Sequence, residues 1–461
     1  MLAEAAHAPR DGRAIGVAAI GCGVLAAFLI APRSTPLLLA LLTGAVLVAA
    51  IRVEPLSGRS GASANAAVAR LRAGLARLPL PVASMLALAA WGLVTVLWAA
   101  DRGEAIGKVA MLAAFVLGVQ MVQAVRSDLP DELLRQLVRA AFIAFAAALA
   151  FLCVEEVSGH LIKRMLITVL PWIGPSAKHA GYANYRGTWE LIYAAHLTNR
   201  NMAAIVLTLW PMLLVAWHIR VGHMGAGERR WLTPLAVLAV AAAAILSSRH
   251  ETSLVALVAS VATFLIVRQW PRRGLEMVAV GWLAATLLVV PIAGWAFGSA
   301  GLHQASWLPH TARQRVILWG YTAQQVALRP ILGVGVDSTK PLDARRGPQV
   351  ETPPGYVYQL RTGPHGHNVF LQTWYELGAP GALLLCAFGL ATLVAISRLT
   401  ATALPAMAAA FVSATITAAF SWGMWQSWFM AAFALSAVLC LLAVEYDRRQ
   451  GAMRADGAVD G

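Results

Sequence analysis

The sequence predicts an all-α polytopic membrane protein of about twelve transmembrane helices, with one large polar loop domain between the ninth and tenth. Three observations carry that expectation. Hydrophobic residues make up 59% of the chain and charged residues only 13%, against about 25% charged in ordinary soluble domains. The mean hydropathy is +0.67. Apolar runs of about 20 residues, the length that crosses a bilayer as a helix, recur from end to end.

Taken in order, candidate spans lie near 14–31, 35–51, 83–100, 105–125, 134–153 and 199–219. A second set follows near 231–247, 252–268, 274–297, 368–397, 402–420 and 426–445. The first run follows a basic start, but a second span comes within a few residues, so it is expected to stay as a helix rather than be removed as a signal peptide. With the N-terminus inside, twenty of the 36 basic residues fall on inside segments. Nine fall on short outside loops and seven in the long loop, which is the kind that obeys charge bias poorly. Both termini are therefore expected in the cytoplasm and the long loop on the opposite side.

The expected organisation is nine helices over 1–297, a loop domain over 298–366, three helices over 367–447 and a cytoplasmic tail over 448–461. Residues 53–80, rich in Arg, Gly, Ser and Ala, form an inside linker with too few large apolar residues to fold alone. In the outside loop 154–198, LIKRMLITVLPWIG (161–174) pairs Lys163 and Arg164 with an apolar remainder and suits a helix lying on the membrane surface. Glu155 and Glu156 before it suit a solvated helix end. In the long loop, 311–330 fits an amphipathic helix loosely and ends at Pro330. ILGVGVDS (331–338) then carries a Gly-x-Gly turn, and 341–366 is an irregular Pro- and Gly-rich flap. The four cysteines lie in or beside apolar runs without paired spacing, as small core residues do. The net charge of +14 suits anionic lipid surfaces, and no motif points to nucleic acid.

Candidate chemistry gathers on the outer side. HGHNVFLQTWYELGAPG (365–381) sets His365 and His367 where the loop meets a helix, and ionisable groups at such depth usually serve function. A neutral His367, kept so by nearby arginines, is a base suited to a hydroxyl. His365 shares its face on an extended segment, but a metal pair needs a third ligand and none is in sequence reach. Lys178, Arg186, Arg200, Arg249, Arg313 and Arg315 are outer-side cations, Arg200 within HLTNRNMAA and Arg249 within SSRHETS. Each alone could snorkel to headgroups or pair with an acid such as Glu190 or Glu251. Together they suit a diphosphate, which a guanidinium fork grips with paired hydrogen bonds. There is no Asp-x-Asp motif, and Asp101, Asp337 and Asp343 are scattered, so leaving-group charge falls to arginine rather than to a metal.

Several of these elements together resemble the O-antigen ligase and polymerase superfamily. They are His367-Asn368 followed after nine residues by Gly378 and then Gly381, Arg315 in an Arg-x3-Trp arrangement with Trp319, Pro330 before GVGVDS, SSR ending at Arg249, and NRN around Arg200. Where some ligases carry threonines after the second glycine, this chain has Ala382 and Leu383. The resemblance implies a C-type glycosyltransferase-like fold with a periplasmic loop domain in the bacterial inner membrane. It implies metal-independent, inverting transfer of glycan from undecaprenyl diphosphate to lipid A-core oligosaccharide, with no cofactor and with membrane lipids as surroundings. His367 is then the catalytic base. His365 and Asn368 assist the acceptor, and the diphosphate lies on Arg186, Arg200 and Arg249, helped by Arg313 or Arg315 and by Lys178. Glu376 orients packing. A repeat-unit polymerase and a protein O-oligosaccharyltransferase share this donor site. A lipid-linked glycan flippase is the alternative from another class, and the one-sided outer domain speaks against it.

Overall fold

In the computed structural model, residues 12–51, 69, 72–74, 76–170, 172, 182–185, 188–191, 198–219, 231–346 and 351–457 are described. Among them, nine helices are long and apolar enough to cross a membrane, and a bent pair makes a tenth. Two shorter apolar helices, Ile15–Ile30 and Leu232–Ser248, occupy the remaining expected positions. The expected twelve spans thus all correspond to helices, but two are short for a full crossing and one is broken.

The first half contains α1 (Gly12–Ile30), α2 (Thr35–Ile51), α3 (Leu80–Thr95), α4 (Arg102–Val125) and α5 (Asp131–Val157). The outer segment after it holds α6 (Leu161–Val169) and a small antiparallel hairpin, β1 (Tyr182–Tyr185) with β2 (Thr188–Leu191). That hairpin is the one departure from an all-helical chain among the described residues. Nor are Glu155 and Glu156 a solvated end: both are buried, and a Glu155 carboxylate oxygen accepts the Ile162 N–H at 2.8 Å, capping α6. An anion suits that place, where the first N–H groups of a helix have no partner within it. The outward side of α6 leaves Leu161, Met165, Leu166 and Val169 exposed.

Helix α7 (Asn199–Ala216) runs through the middle of the core, buried continuously from Asn201 onward. A helix apolar all round can only be stable inside. Its Pro211 cannot donate to the carbonyl four residues back, and Ser436 Oγ donates to that Leu207 carbonyl instead, at 2.5 Å. Helices α8 (Leu232–Ser248) and α9 (Glu251–Gln269) follow, joined by the short turn at Arg249 and His250. Then come α10 (Pro271–Leu287) and α11 (Val289–Gly298), bent 63° from each other. Pro291 accounts for the bend, since it removes one helical N–H just past it. The Thr286 carbonyl there takes the Trp374 indole N–H at 2.7 Å.

The loop domain carries α12 (His310–Leu328) and α13 (Thr339–Arg346), and the chain returns through α14 (Val369–Ile396), α15 (Ala403–Phe420) and α16 (Ser427–Gly457). The expected tail from 448 is continuous with α16 as far as Gly457. The flap is held to the loop domain by the buried Asp343, whose carboxylate pairs with Arg361 and also accepts the Gly363 N–H at 3.0 Å.

Hydrogen bonds fix which turns share an end of the bundle. At one end, Asn201 Nδ2 donates to the carbonyls of Leu29 and Ile30, Ala100 N–H to Ser338 Oγ, and Thr252 Oγ1 to the Phe420 carbonyl. At the other, Arg449 donates to the Leu129 carbonyl and to Asp131, while His218 and Thr400 both meet Asp447. The loop domain and the candidate chemistry lie at the first end.

Candidate active site

The site is built where α14 breaks. Gly378 has φ 64° and ψ −162°, which interrupts the helix and frees the carbonyls before it. Those carbonyls are taken by groups far away in sequence. Val334 N–H donates to Tyr375 O and Gly335 N–H to Glu376 O, each at 2.9 Å, and Trp91 Nε1 donates to Leu377 O at 2.7 Å. Unpaired backbone groups at such depth cost several kcal/mol, so the break and the Gly-x-Gly loop require each other. A Cβ on Gly333 would stand 2.5 Å from the Glu376 carbonyl oxygen, and one on Gly335 would stand 2.6 Å from the Ala99 Cα.

Glu376 closes this interlock from its side chain. Its buried carboxylate accepts the N–H groups of Asp337 at 2.9 Å and Thr339 at 3.1 Å, at the start of α13. It also accepts Gln372 Nε2 at 3.0 Å, the Thr339 hydroxyl and the Trp425 indole N–H. The expectation that Glu376 orients packing matches this geometry. Asp337 beside it has its carboxyl pushed up to about 7, first by burial and then by the Glu376 charge.

His367 precedes the helix with φ 50°, a left-handed conformation uncommon for a residue with a side chain. Asn368 caps α14, its Oδ1 accepting the Leu371 N–H at 2.9 Å. His367 Nδ1 donates to the main-chain carbonyl of Ser421 at 2.5 Å. A carbonyl oxygen only accepts, so the proton sits on Nδ1 and Nε2 keeps its lone pair. Burial lowers the pKa of His367 below its ordinary 6.5, and the Arg315 charge lowers it further against the opposing pull of the Ser421 carbonyl. The His365 ring lies 4.3 Å from that of His367, and burial brings its pKa down to about 4.

The carbonyl that holds His367 belongs to the turn 421–426 between α15 and α16, and this turn organises the rest of the site. Gly423 is packed so closely that a Cβ there would stand 2.5 Å from the His365 Cβ. Trp422 and Trp428 pack edge to face at 4.7 Å, with the Arg200 guanidinium 6.0 Å and 5.4 Å from their ring centres. Arg200 Nε is buried with no hydrogen-bond partner among the described residues. Aromatic faces thus steady the cation while leaving its N–H fork for an anion. His250, buried beside Trp422 at 6.0 Å, bonds Ser253 Oγ at 2.7 Å through Nδ1, and burial takes its pKa to about 4. The Arg315 charge acts on both His250 and His367.

Next to this cluster opens an apolar cavity of about 680 Å³ between α9, α10, α11, α12, α14 and α15. Asn368, Trp319 and Phe420 line it near the histidines, and Gly274, Gly281 and Thr415 line it further along.

The structure therefore brings together His365, His367, Asn368, Arg200 and Arg315 around one turn. Arg313 lies two residues from Arg315 on α12, about 200° round the helix, so the two cannot face the same point; its Nε is buried without a hydrogen-bond partner among the described residues. Arg249 is exposed, in a left-handed conformation at the end of α8. In SSRHETS it is His250 that turns inward. Arg186 and Lys178 lie outside the described residues.

Residues 235–386, which hold the broken helix, the Gly-x-Gly loop and both histidines, match the sequence profile of the family described as O-antigen ligase. Over this segment the chain is similar to the O-antigen ligase family. Relatives are candidate polysaccharide ligases of Rickettsia. That of Rickettsia felis is 21% identical over 293 residues, 63% of this chain and 69% of the relative. That of Rickettsia conorii is 23% identical over 256 residues, 55% of this chain and 60% of the relative. That of Rickettsia prowazekii is 27% identical over 138 residues, 30% of this chain and 34% of the relative.

The turn 421–426 and His250 were not among the residues singled out from sequence. A signal was present in SWGMWQSW (421–428), where three tryptophans flank a glycine at a helix end.

Proposed function

We propose that the chain is an O-antigen ligase that moves glycan from undecaprenyl diphosphate to lipid A-core oligosaccharide at the periplasmic face of the bacterial inner membrane. It acts by metal-independent, inverting transfer, with both termini in the cytoplasm. The observation that carries this reading is His367, whose Nδ1 is committed to the Ser421 carbonyl and whose Nε2 is left basic beside Arg315. In one displacement, an acceptor hydroxyl oxygen forms a bond to the anomeric carbon while its proton passes to His367 Nε2. The bond from that carbon to the diphosphate oxygen breaks, and the electron pair leaves with the diphosphate. Attack opposite the leaving group inverts the centre.

Arg200 and Arg315 suit the leaving diphosphate, because fixed cations stabilise charge that develops in the transition state. Arg186, Arg249, Arg313 and Lys178 remain candidates for the outer phosphate. The apolar cavity beside Asn368 suits the polyprenyl chain. Among the described residues no group of three or more His, Cys, Asp or Glu side chains is spaced to hold a metal ion, and the proposal assigns charge balance to arginine. Among the same residues, both strong breaks, at Leu288 and at Gly378, fall in the second half of the chain. A transporter with paired repeats would place one in each half.

The test is reconstitution of the full chain with lipid-linked glycan and EDTA, offering lipid A-core, a second lipid-linked glycan or an acceptor protein in separate reactions. The reading expects product on lipid A-core with release of undecaprenyl diphosphate. Product only on the second glycan or the protein would move the chain to a polymerase or a protein glycosyltransferase. Movement of intact donor across the bilayer without release would make it a transporter.

A further inference from the structure

Glu376 is fully buried on α14, more than two helical turns beyond His367, and no acceptor or diphosphate group has been assigned to it. Its carboxylate nevertheless gathers donors from three separate parts of the chain. These are Gln372 on its own helix, Asp337 and Thr339 at the start of α13, and Trp425 in the turn 421–426. Gln372 continues the connection: it gives its amide N–H to Glu376 and accepts the Met424 N–H on its Oε1 at 3.1 Å. The turn 421–426 is thus tied to Glu376 twice, once through the Trp425 indole and once through Gln372. Its first residue, Ser421, supplies the carbonyl that fixes the His367 tautomer.

We propose that Glu376 is a positioning residue for His367, acting through Trp425 and Gln372 on the turn that carries the Ser421 carbonyl. This rests on the reading of His367 as the base. The physical reason is directional. Five hydrogen-bond donors converge on the two oxygens of Glu376, and an ionised carboxylate is the group whose two oxygens both only accept. An amide in its place would point an N–H group at groups that can only donate. At least one tie would break, leaving a buried donor unmatched. The turn is short and lies between two helix ends, so release of Trp425 or Met424 moves Ser421. The His367 imidazole then no longer has a fixed acceptor for Nδ1–H, and its proton is shared between the two nitrogens. A base with the proton on Nε2 cannot take one from the acceptor.

The experiment follows the tautomer directly and does not depend on turnover. Full-length chain with 15N-labelled histidine is placed in lipid nanodiscs, and the His367 ring is identified among the eleven histidines by loss of its signal in His367→Gln. In the parent, its two ring nitrogens are expected at the separated shifts of an Nδ1–H tautomer. In Glu376→Gln and in Trp425→Phe, which keeps an aromatic ring and removes one N–H, those shifts are expected to move toward the averaged position. Transfer is expected to fall about 100-fold in kcat, the scale of losing a positioned general base, with the donor KM unchanged. Unchanged His367 shifts in Trp425→Phe would overturn the proposal even if Glu376→Gln does not fold. Normal glycan transfer by His367→Gln, with shifts that do move in Glu376→Gln, would instead sink the catalytic reading and leave the positioning role intact.

Discussion

His367 and Ser421, 54 residues apart in sequence, are joined by a 2.5 Å hydrogen bond from the imidazole Nδ1–H to a main-chain carbonyl. No side chain is needed at position 421 to make that contact. The geometry of the turn between α15 and α16 therefore decides which nitrogen of the histidine is basic, and the first two predictions depend on it.

Replacing His367 with Ala is expected to lower glycan attachment by a factor of about 10² to 10⁴, the usual contribution of a general base. The protein should still insert, because the residue lies outside the helices, and lipid-linked donor should accumulate. Gel analysis of lipopolysaccharide together with donor quantification checks this; ligated product at parental levels would refute the assignment.

The pH dependence has a defined sign. The base must be neutral, and burial with the Arg315 charge lowers its pKa below 6.5. The rate is therefore expected to hold on a plateau through pH 7 and to fall only on the acid side of 6.5, as the imidazole takes up a proton. Measuring kcat/KM from pH 4.5 to 8.5 tests the point. A midpoint at or above 6.5 would mean that the histidine is not shielded as described.

Arg200 is steadied by Trp422 and Trp428 and keeps a buried Nε unpartnered among the described residues. Lysine keeps the charge but lacks the planar fork that can stack and bond phosphate at once. Arg200→Lys is expected to raise the KM for the lipid-linked donor about tenfold, corresponding to roughly 1.4 kcal/mol. Initial-rate kinetics over a donor series would show it, and an unaltered KM would remove Arg200 from the diphosphate site.

Gly378 is held at φ 64° and ψ −162°, and a Cβ there would stand 2.0 Å from the Ile331 carbonyl oxygen. Gly378→Ala is expected to cost more than the roughly 1–3 kcal/mol of backbone strain alone, since the main chain of the loop must also move. Thermal unfolding in detergent should drop by several degrees and transfer should be lost. A parental melting temperature would contradict the interlock between α14 and the 331–339 loop.

The helical character of the chain was legible because apolar run length is a local property, and each of the expected runs became a helix. His367, Asn368, Gly378 and Gly381 were legible as a group because they lie close together in one stretch of chain at fixed spacing. Other features were hidden for a physical reason. The burial of Glu155 and Glu156 comes from the start of α6 folding back to be capped, and nothing in two adjacent acids announces it. That His250 and not Arg249 turns inward follows from the left-handed conformation at the end of α8. The bend between α10 and α11 has its proline in plain view, but the Trp374 indole that pairs the Thr286 carbonyl beside it comes from a distant helix.

By itself the sequence determined that this chain is a bundle of apolar helices, that its ionisable groups fall mostly at helix ends and in loops, and that a histidine followed by two spaced glycines stands at the start of a helix. These follow from the cost of burying charge and from spacing along one backbone. Only the tertiary structure decided that the first of the two glycines breaks the helix and that the break is clasped by a loop some 40 residues earlier, through Val334 and Gly335. It also decided that a tryptophan-rich turn holds the histidine and steadies Arg200. Those relations depend on hydrogen bonds that exist only after distant segments meet, because a freed carbonyl specifies that it must be paired and leaves open by which residue.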